Sequence, residues 1–309
     1  MKILGQTRVR LNNRLKNHRV PQLRRGGRHR VQTNETSPEI EKQLVDAARI
    51  EVVKDLREYL EKITKLKSNN SQDLILFRGQ REFDKPLVPK IGRKETRLKG
   101  KNQSELPKIE ERIFELFKRL SLPFIETKPE SDSEWLAIAQ HHGLPTRLLD
   151  WTANALAALW FAVRKEAEQN KNAAVWILNP TDEDFIPSDT KEKLFDIENI
   201  KVYRPRHITK RLIVQSGYFT AHSFNQTTSH FKPLDKDADL GKRLVKIQIE
   251  PSNFSNFRDH LERLGISDLT MFPDLDGICR YIGWNNSLLN DEQDPPNKIL
   301  NENDEPAKS

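Results

Sequence analysis

Only one cysteine, Cys279, occurs in the 309 residues, so no internal disulfide forms and no zinc-type cysteine spacing exists. That scarcity predicts a reducing, cytoplasmic setting. No apolar run approaches the ~20 residues that a membrane-crossing helix needs, and residues 1–5 are too short for a signal-peptide core, so no membrane partner is expected. Aromatic residues make up just 7%, and none stands among the cations of the first 34 residues, which excludes base stacking by that segment. Acids are missing there as well: residues 1–34 carry ten Lys or Arg and no Asp or Glu.

The charge is therefore uneven. The whole chain is formally +7, the basic start supplies ten positive charges, and residues 285–309 carry a net −4, which leaves +1 for the stretch between. The basic pI reflects the ends, and the folded part is not expected to be a nucleic-acid-binding fold. Residues 1–36 read as a disordered basic arm. It is either a solvated tail or a sequence-independent attractor of RNA or DNA through residues 1–34, acting by counterion release. Residues 284–309 read as a disordered acidic tail and 37–283 as one domain. Neither internal repeats nor heptads occur, and nothing in the sequence sets an oligomeric state.

Within the domain, Thr36-Ser37-Pro38-Glu39 is a helix start, and apolar spacing carries the predicted helix to about Lys67. Leu74–Phe77 reads as a short buried strand ending at Arg78-Gly79-Gln80. Ile109 to Leu120 reads as an amphipathic helix, and Ser133 as the cap of another through Trp135 and Ile138. The apolar run 173–178 predicts a central strand. Residues 180–205 read as loop, 211–215 as a strand, and 244–250, which alternates apolar and polar, as a half-buried strand. Phe254 to Leu264 predicts a helix closed by Gly265, and 271–277 a turn that leads into a short helix. The sum is a mixed α+β fold, helices on a small central sheet.

Residues 140–152, Gln-His-His-Gly-Leu-Pro-Thr-Arg-Leu-Leu-Asp-Trp-Thr, form the densest stretch. Gly143 and Pro145 mark a turn, and Thr152 can cap the nearly all-apolar run Ala153 to Val163, which predicts a buried helix. With Phe77-Arg78-Gly79-Gln80 before it, and Gln215–Thr220 and Phe272–Gly277 behind it, this stretch resembles the FRG domain family, a largely bacterial family without a characterised activity. The resemblance covers about residues 70–283. A more distant likeness, carried by Phe77-Arg78-Gly79, is to ADP-ribosyltransferases that open their catalytic core with an aromatic-Arg-Gly strand. That likeness implies NAD as substrate, with the Arg on its phosphate or ribose and the Gly backbone on its amide. The catalytic Glu of those enzymes has no clear counterpart here.

Candidate site residues follow. Arg78, with Gly79 and Gln80, places a guanidinium beside bare backbone amides, an arrangement suited to an anionic, nucleotide-like ligand. Arg147 brought to the same pocket would double the positive charge. Gln140, Thr146, Gln215, Phe219 and His222 are further ligand-binding candidates. His141, Asp150 and Asp274 are the catalytic candidates, against the alternatives that Asp150 pairs with Arg147 or caps a helix and Asp274 caps the next one. Neighbouring histidines on a helix do not both face one ion, so His141-His142 is not expected to hold a metal. A non-catalytic interaction module is the competing class. A toxin or phage-defence setting would fit either.

Overall fold

The structure is a computed structural model. It describes residues 49–292 except 97, 99–102, 126, 188–193 and 207–212. The expected basic arm, the helix start at Thr36 and the end of the acidic tail lie outside the described residues.

The described residues form a mixed α/β fold with seven helices and a seven-stranded sheet. Its strands are β1 (Arg49–Val53), β2 (Leu76–Gln80), β3 (Leu148–Thr152), β4 (Ala173–Leu178), β5 (Lys201–Tyr203), β6 (Gly217–Ala221) and β9 (Leu244–Ile249). They lie in the order β1-β9-β4-β2-β3-β6-β5. Only β1 and β9 run parallel. A separate hairpin pairs β7 (Phe224–Asn225) with β8 (His230–Phe231). The helices are α1 (Leu56–Ile63), α2 (Leu106–Ser121), α3 (Asp132–His141), α4 (Ala155–Val163), α5 (Phe254–Arg263), α6 (Asp268–Met271) and α7 (Leu275–Asn285).

Apolar residues cover both faces of the sheet. On one, Phe77, Val175, Ile177 and Ile247 pack with Ala158 and Leu159 of α4 and with Phe254 and Phe257 of α5. On the other, Leu76, Trp176, Leu178 and Leu244 pack with Leu87, Leu149 and Leu234. Alternation along each strand splits its side chains between the two, and each large apolar side chain so buried contributes about 1.5–3 kcal/mol.

The 173–178 strand stands where its apolar run put it, and the amphipathic helices α2 and α5 where periodicity put them. Several expectations need correction. The helix expected through residue 67 is interrupted, because Arg49–Val53 pairs with β9 as a strand and Asp55 then caps the short α1 through the Glu58 amide. β2 begins and ends later than expected, so Arg78 and Gly79 lie inside it. Thr152 ends strand β3, and the cap of α4 is Asn154, whose side chain accepts from Leu156 and Ala157. Ser131, not Ser133, caps α3. Ile213 and Val214 are helical and exposed rather than part of a strand. β9 is central and not half-buried. Its Lys246 is covered by the Phe83 and Trp176 rings, with the ammonium 3.6 and 4.5 Å from their centroids. α7 runs to Asn285, and beyond it Asp291 and Glu292 pair with the buried Arg258 at 2.6 and 2.7 Å.

Candidate ligand cleft

β2 and β3 are neighbours in the sheet, yet they meet only at Phe77 and Thr152. Beyond that pair β2 follows β4 and β3 follows β6, so the sheet opens between them. A cleft of about 660 Å³ occupies the opening. Arg78 reaches across it: Nη1 donates to the Asp150 carbonyl at 2.6 Å, a contact that replaces the missing strand ladder. Burial lowers the Arg78 pKa to about 10, with Asp150 pulling it up and Arg93 pushing it down; the guanidinium stays charged at neutral pH. Its Nε is buried without a hydrogen-bond partner.

Gly79 is required by packing. A Cβ there would lie 2.0 Å from the Ala158 carbonyl oxygen and 2.7 Å from the Ala162 nitrogen, so α4 rests directly on the β2 backbone. Gly79 still borders the cleft. Gln80 braces the loop that follows, donating to the carbonyls of Glu82 (2.7 Å) and Lys85 (2.5 Å).

The dense stretch 140–152 builds the opposite wall. Gly143, at φ 86, ends α3, with the Gly143 amide on Gln140 and the Leu144 amide on Ala139. The chain then enters β3 through Thr146. The Leu148 amide donates to Thr146 Oγ1, which leaves that hydroxyl to donate to Gln140 Oε1 at 2.6 Å. The orientation of the Gln140 amide is thereby fixed, and its Nε2 donates to Asp150 Oδ2 at 2.9 Å. The same carboxylate oxygen lies 3.9 Å from Arg78 Nη1. Gln140, His141 and Asp150 line the cleft, as does Gln215, whose Nε2 holds the Met271 carbonyl at 3.0 Å. Thr146 is buried behind this wall and acts through Gln140.

Four candidates lie elsewhere. Arg147 is buried and turned to α2, where Nε and Nη2 reach Glu110 Oε2 at 3.0 and 2.8 Å and the Arg147 amide reaches Oε1 at 2.8 Å. Arg78 and Arg147 therefore do not share a pocket, and Asp150 is not the partner of Arg147. Asp274 caps α7 through the Gly277 amide at 2.7 Å and does not border the cleft. Phe219 is a core residue stacked on Tyr203. His222 is fully buried: Trp151 donates to Thr220 Oγ1, so the Thr220 hydroxyl is free to donate to His222 Nε2, while Nδ1–H faces the Lys232 carbonyl.

Burial keeps His222 neutral and lowers its pKa from 6.5 to about 4, against the pull of the Lys232 carbonyl, which raises it. The unfolded chain takes up a proton below pH 6.5 and the folded chain does not. The stability that His222 confers is therefore complete above pH 6.5 and declines to a plateau below pH 4. The predicted loss over this window is roughly 3 kcal/mol. Denaturant titrations across it should show a flatter profile for His222→Gln, which supplies both an acceptor and a donor; parallel profiles would contradict the assignment.

Residues that sequence reasoning missed complete the cleft. Arg81, Lys85, Arg93 and Arg164 line it with Arg78, against the three acids Glu82, Asp150 and Glu168. Arg81 pairs with Glu168 at 2.8 Å and Lys85 with Glu82 at 3.5 Å. For Arg81, Lys85 and Arg93 the only sequence signal is the basic character of the loop after Gln80.

A mixed sheet that parts around a half-buried guanidinium defines this fold and its site. The family model of the FRG domain matches residues 73–171, about a third of the chain, so the chain carries an FRG domain there. The match includes β2 with its Phe-Arg-Gly and the whole stretch 140–152, the two segments that meet across the cleft; Gln215–Thr220 and Phe272–Gly277 fall outside it. No curated protein and no solved structure matches the chain. Among the described residues no helix is long and apolar enough to cross a membrane.

Proposed function

We propose that the cleft binds an anionic, nucleotide-like ligand held by Arg78, with NAD as the leading candidate and ADP-ribosyl transfer as the reaction. The observation that carries this reading is the half-buried Arg78 guanidinium at the parting of the sheet, in a cleft with five cationic side chains against three acids. A partly desolvated guanidinium interacts with phosphate or pyrophosphate more strongly than a fully exposed one.

Asp150 is the carboxylate best placed for chemistry. It borders the cleft beside Arg78, its orientation is held by Gln140, and its side chain is more than half exposed. In the proposed step the bond between nicotinamide nitrogen and ribose C1′ breaks, and nicotinamide leaves with the electron pair. An acceptor nucleophile, or water, then bonds to C1′ and gives up its proton. Asp150 stabilises the positive charge that develops on the sugar.

The test is nicotinamide release from NAD by the full chain. Asp150→Asn keeps the Gln140 contact and removes the charge, and is expected to lower turnover about 100-fold with little change in melting temperature. Turnover equal to the wild type would exclude Asp150 from the chemistry.

A further inference from the structure

Residues from both faces of the sheet border the cleft. Gly79 faces α4, so the alternation of β2 points Arg78 to the opposite face; both residues border the same opening. On the α4 side the cleft is bordered by Arg164, the residue that caps the C-terminus of α4.

Arg164 is held unusually well for a cation with so little counter-charge. Its guanidinium sits on a cluster of three rings, 5.1 Å from the Trp160 centroid, 5.8 Å from Phe161 and 5.4 Å from Phe272. The rings also contact one another, so they form one cluster. Among the described residues its side chain makes no hydrogen bond. Its one ion pair there, with Asp268, is long at 3.6 Å, and Arg280 binds the same Asp268 oxygen at 2.9 Å. Two guanidiniums thus share one carboxylate, and Arg81 adds a third positive charge nearby. Contact with three rings restrains the Arg164 guanidinium, which lowers the entropy cost of binding a planar or tetrahedral oxyanion.

We propose that Arg164 forms a second oxyanion subsite at the α4 mouth of the cleft, which takes a phosphate group at the far end of the ligand whose near end lies on Arg78. The subsite rests on the reading of the cleft as an anion site. It makes the ligand a two-ended molecule that spans the cleft.

The test is a calorimetric titration of the full chain with inorganic pyrophosphate at low ionic strength. Arg164→Ala should weaken binding about tenfold or more. Arg164→Lys keeps the charge without the guanidinium fork and should weaken it less. Arg57→Ala removes an exposed cation far from the cleft and should change nothing. Should Arg164→Ala melt well below the wild type, Arg164→Lys decides. Wild-type affinity in both Arg164 variants, or no binding by the wild type, overturns the subsite. Binding lost in Arg78→Ala but kept in the Arg164 variants overturns it too, while leaving the Arg78 reading in place. The reverse pattern supports the subsite and removes Arg78 from anion binding.

Discussion

Gly79→Ala is expected to destabilise the protein by about 3 kcal/mol, the upper part of the range for overpacking a well-filled interior. The new methyl would meet the Ala158 carbonyl and the Ala162 nitrogen, which are helix backbone, and the Phe161 Cβ at 2.9 Å. No rotamer change relieves a backbone clash, so α4 must shift off β2. A domain stable by 5–15 kcal/mol loses a large fraction of its margin that way. Because Phe161 and Arg164 border the cleft from the same helix, the shift should deform the ligand site as well. Urea denaturation measures the effect; a midpoint equal to the wild type would mean that the close approach of α4 to β2 is wrong.

Loss of either partner in the buried pair between Glu110 and Arg147 has a comparable expected cost, about 3–5 kcal/mol. Glu110 is buried, at 1% exposure. Burial pushes its carboxyl up toward the neutral form, and Arg147 opposes that by charge and hydrogen bonding. Arg147 is further tied to the carbonyls of Leu194 and Phe195 and lies 4.7 Å from the Phe195 ring. Glu110→Ala strands a guanidinium in the core, and Arg147→Ala strands a carboxylate. The double replacement Glu110→Leu with Arg147→Met removes both charges and should cost far less than the sum of the singles, a non-additivity that denaturant titration of all three variants reads directly. Additive losses would contradict the direct pairing.

The sequence made the amphipathic helices legible because their apolar residues recur at one period over enough positions to exclude the other, and the central β4 strand because a short continuous apolar run stops at Asn179-Pro180. It did not reveal β3. Leu148–Thr152 lies between a glycine-proline turn and a capped helix, and five residues are too few to show alternation; its strand character comes from pairing with β6, almost 70 residues away. β1 was hidden for a related reason. Ile50 and Val53 fit the helical spacing of their neighbours, and only β9 shows them to be extended.

The site was legible where it is local and opaque where it is not. Arg78, Gln140 and Asp150 converge because the two motifs cross the same opening. Arg147 was misplaced because its partner is 37 residues upstream. One signal existed: Glu110 falls on the apolar stripe of α2 between Leu106 and Phe114, and a carboxylate there needs a cation. Arg164 gave no signal. A cation after a helix is ordinary in sequence, and only the fold sets it over three rings beside the cleft.

The most direct test of the Arg78-anchored ligand site is the thermal stability of the wild type and Arg78→Ala, each with and without NAD. A ligand that binds only the folded state at 100 times its Kd raises stability by about 2.7 kcal/mol. The expected result is a clear rise in wild-type melting temperature with NAD and none in Arg78→Ala, whose melting without ligand stays near that of the wild type. An equal rise in both proteins would show that Arg78 does not hold the ligand, and no rise in either would remove NAD from the cleft.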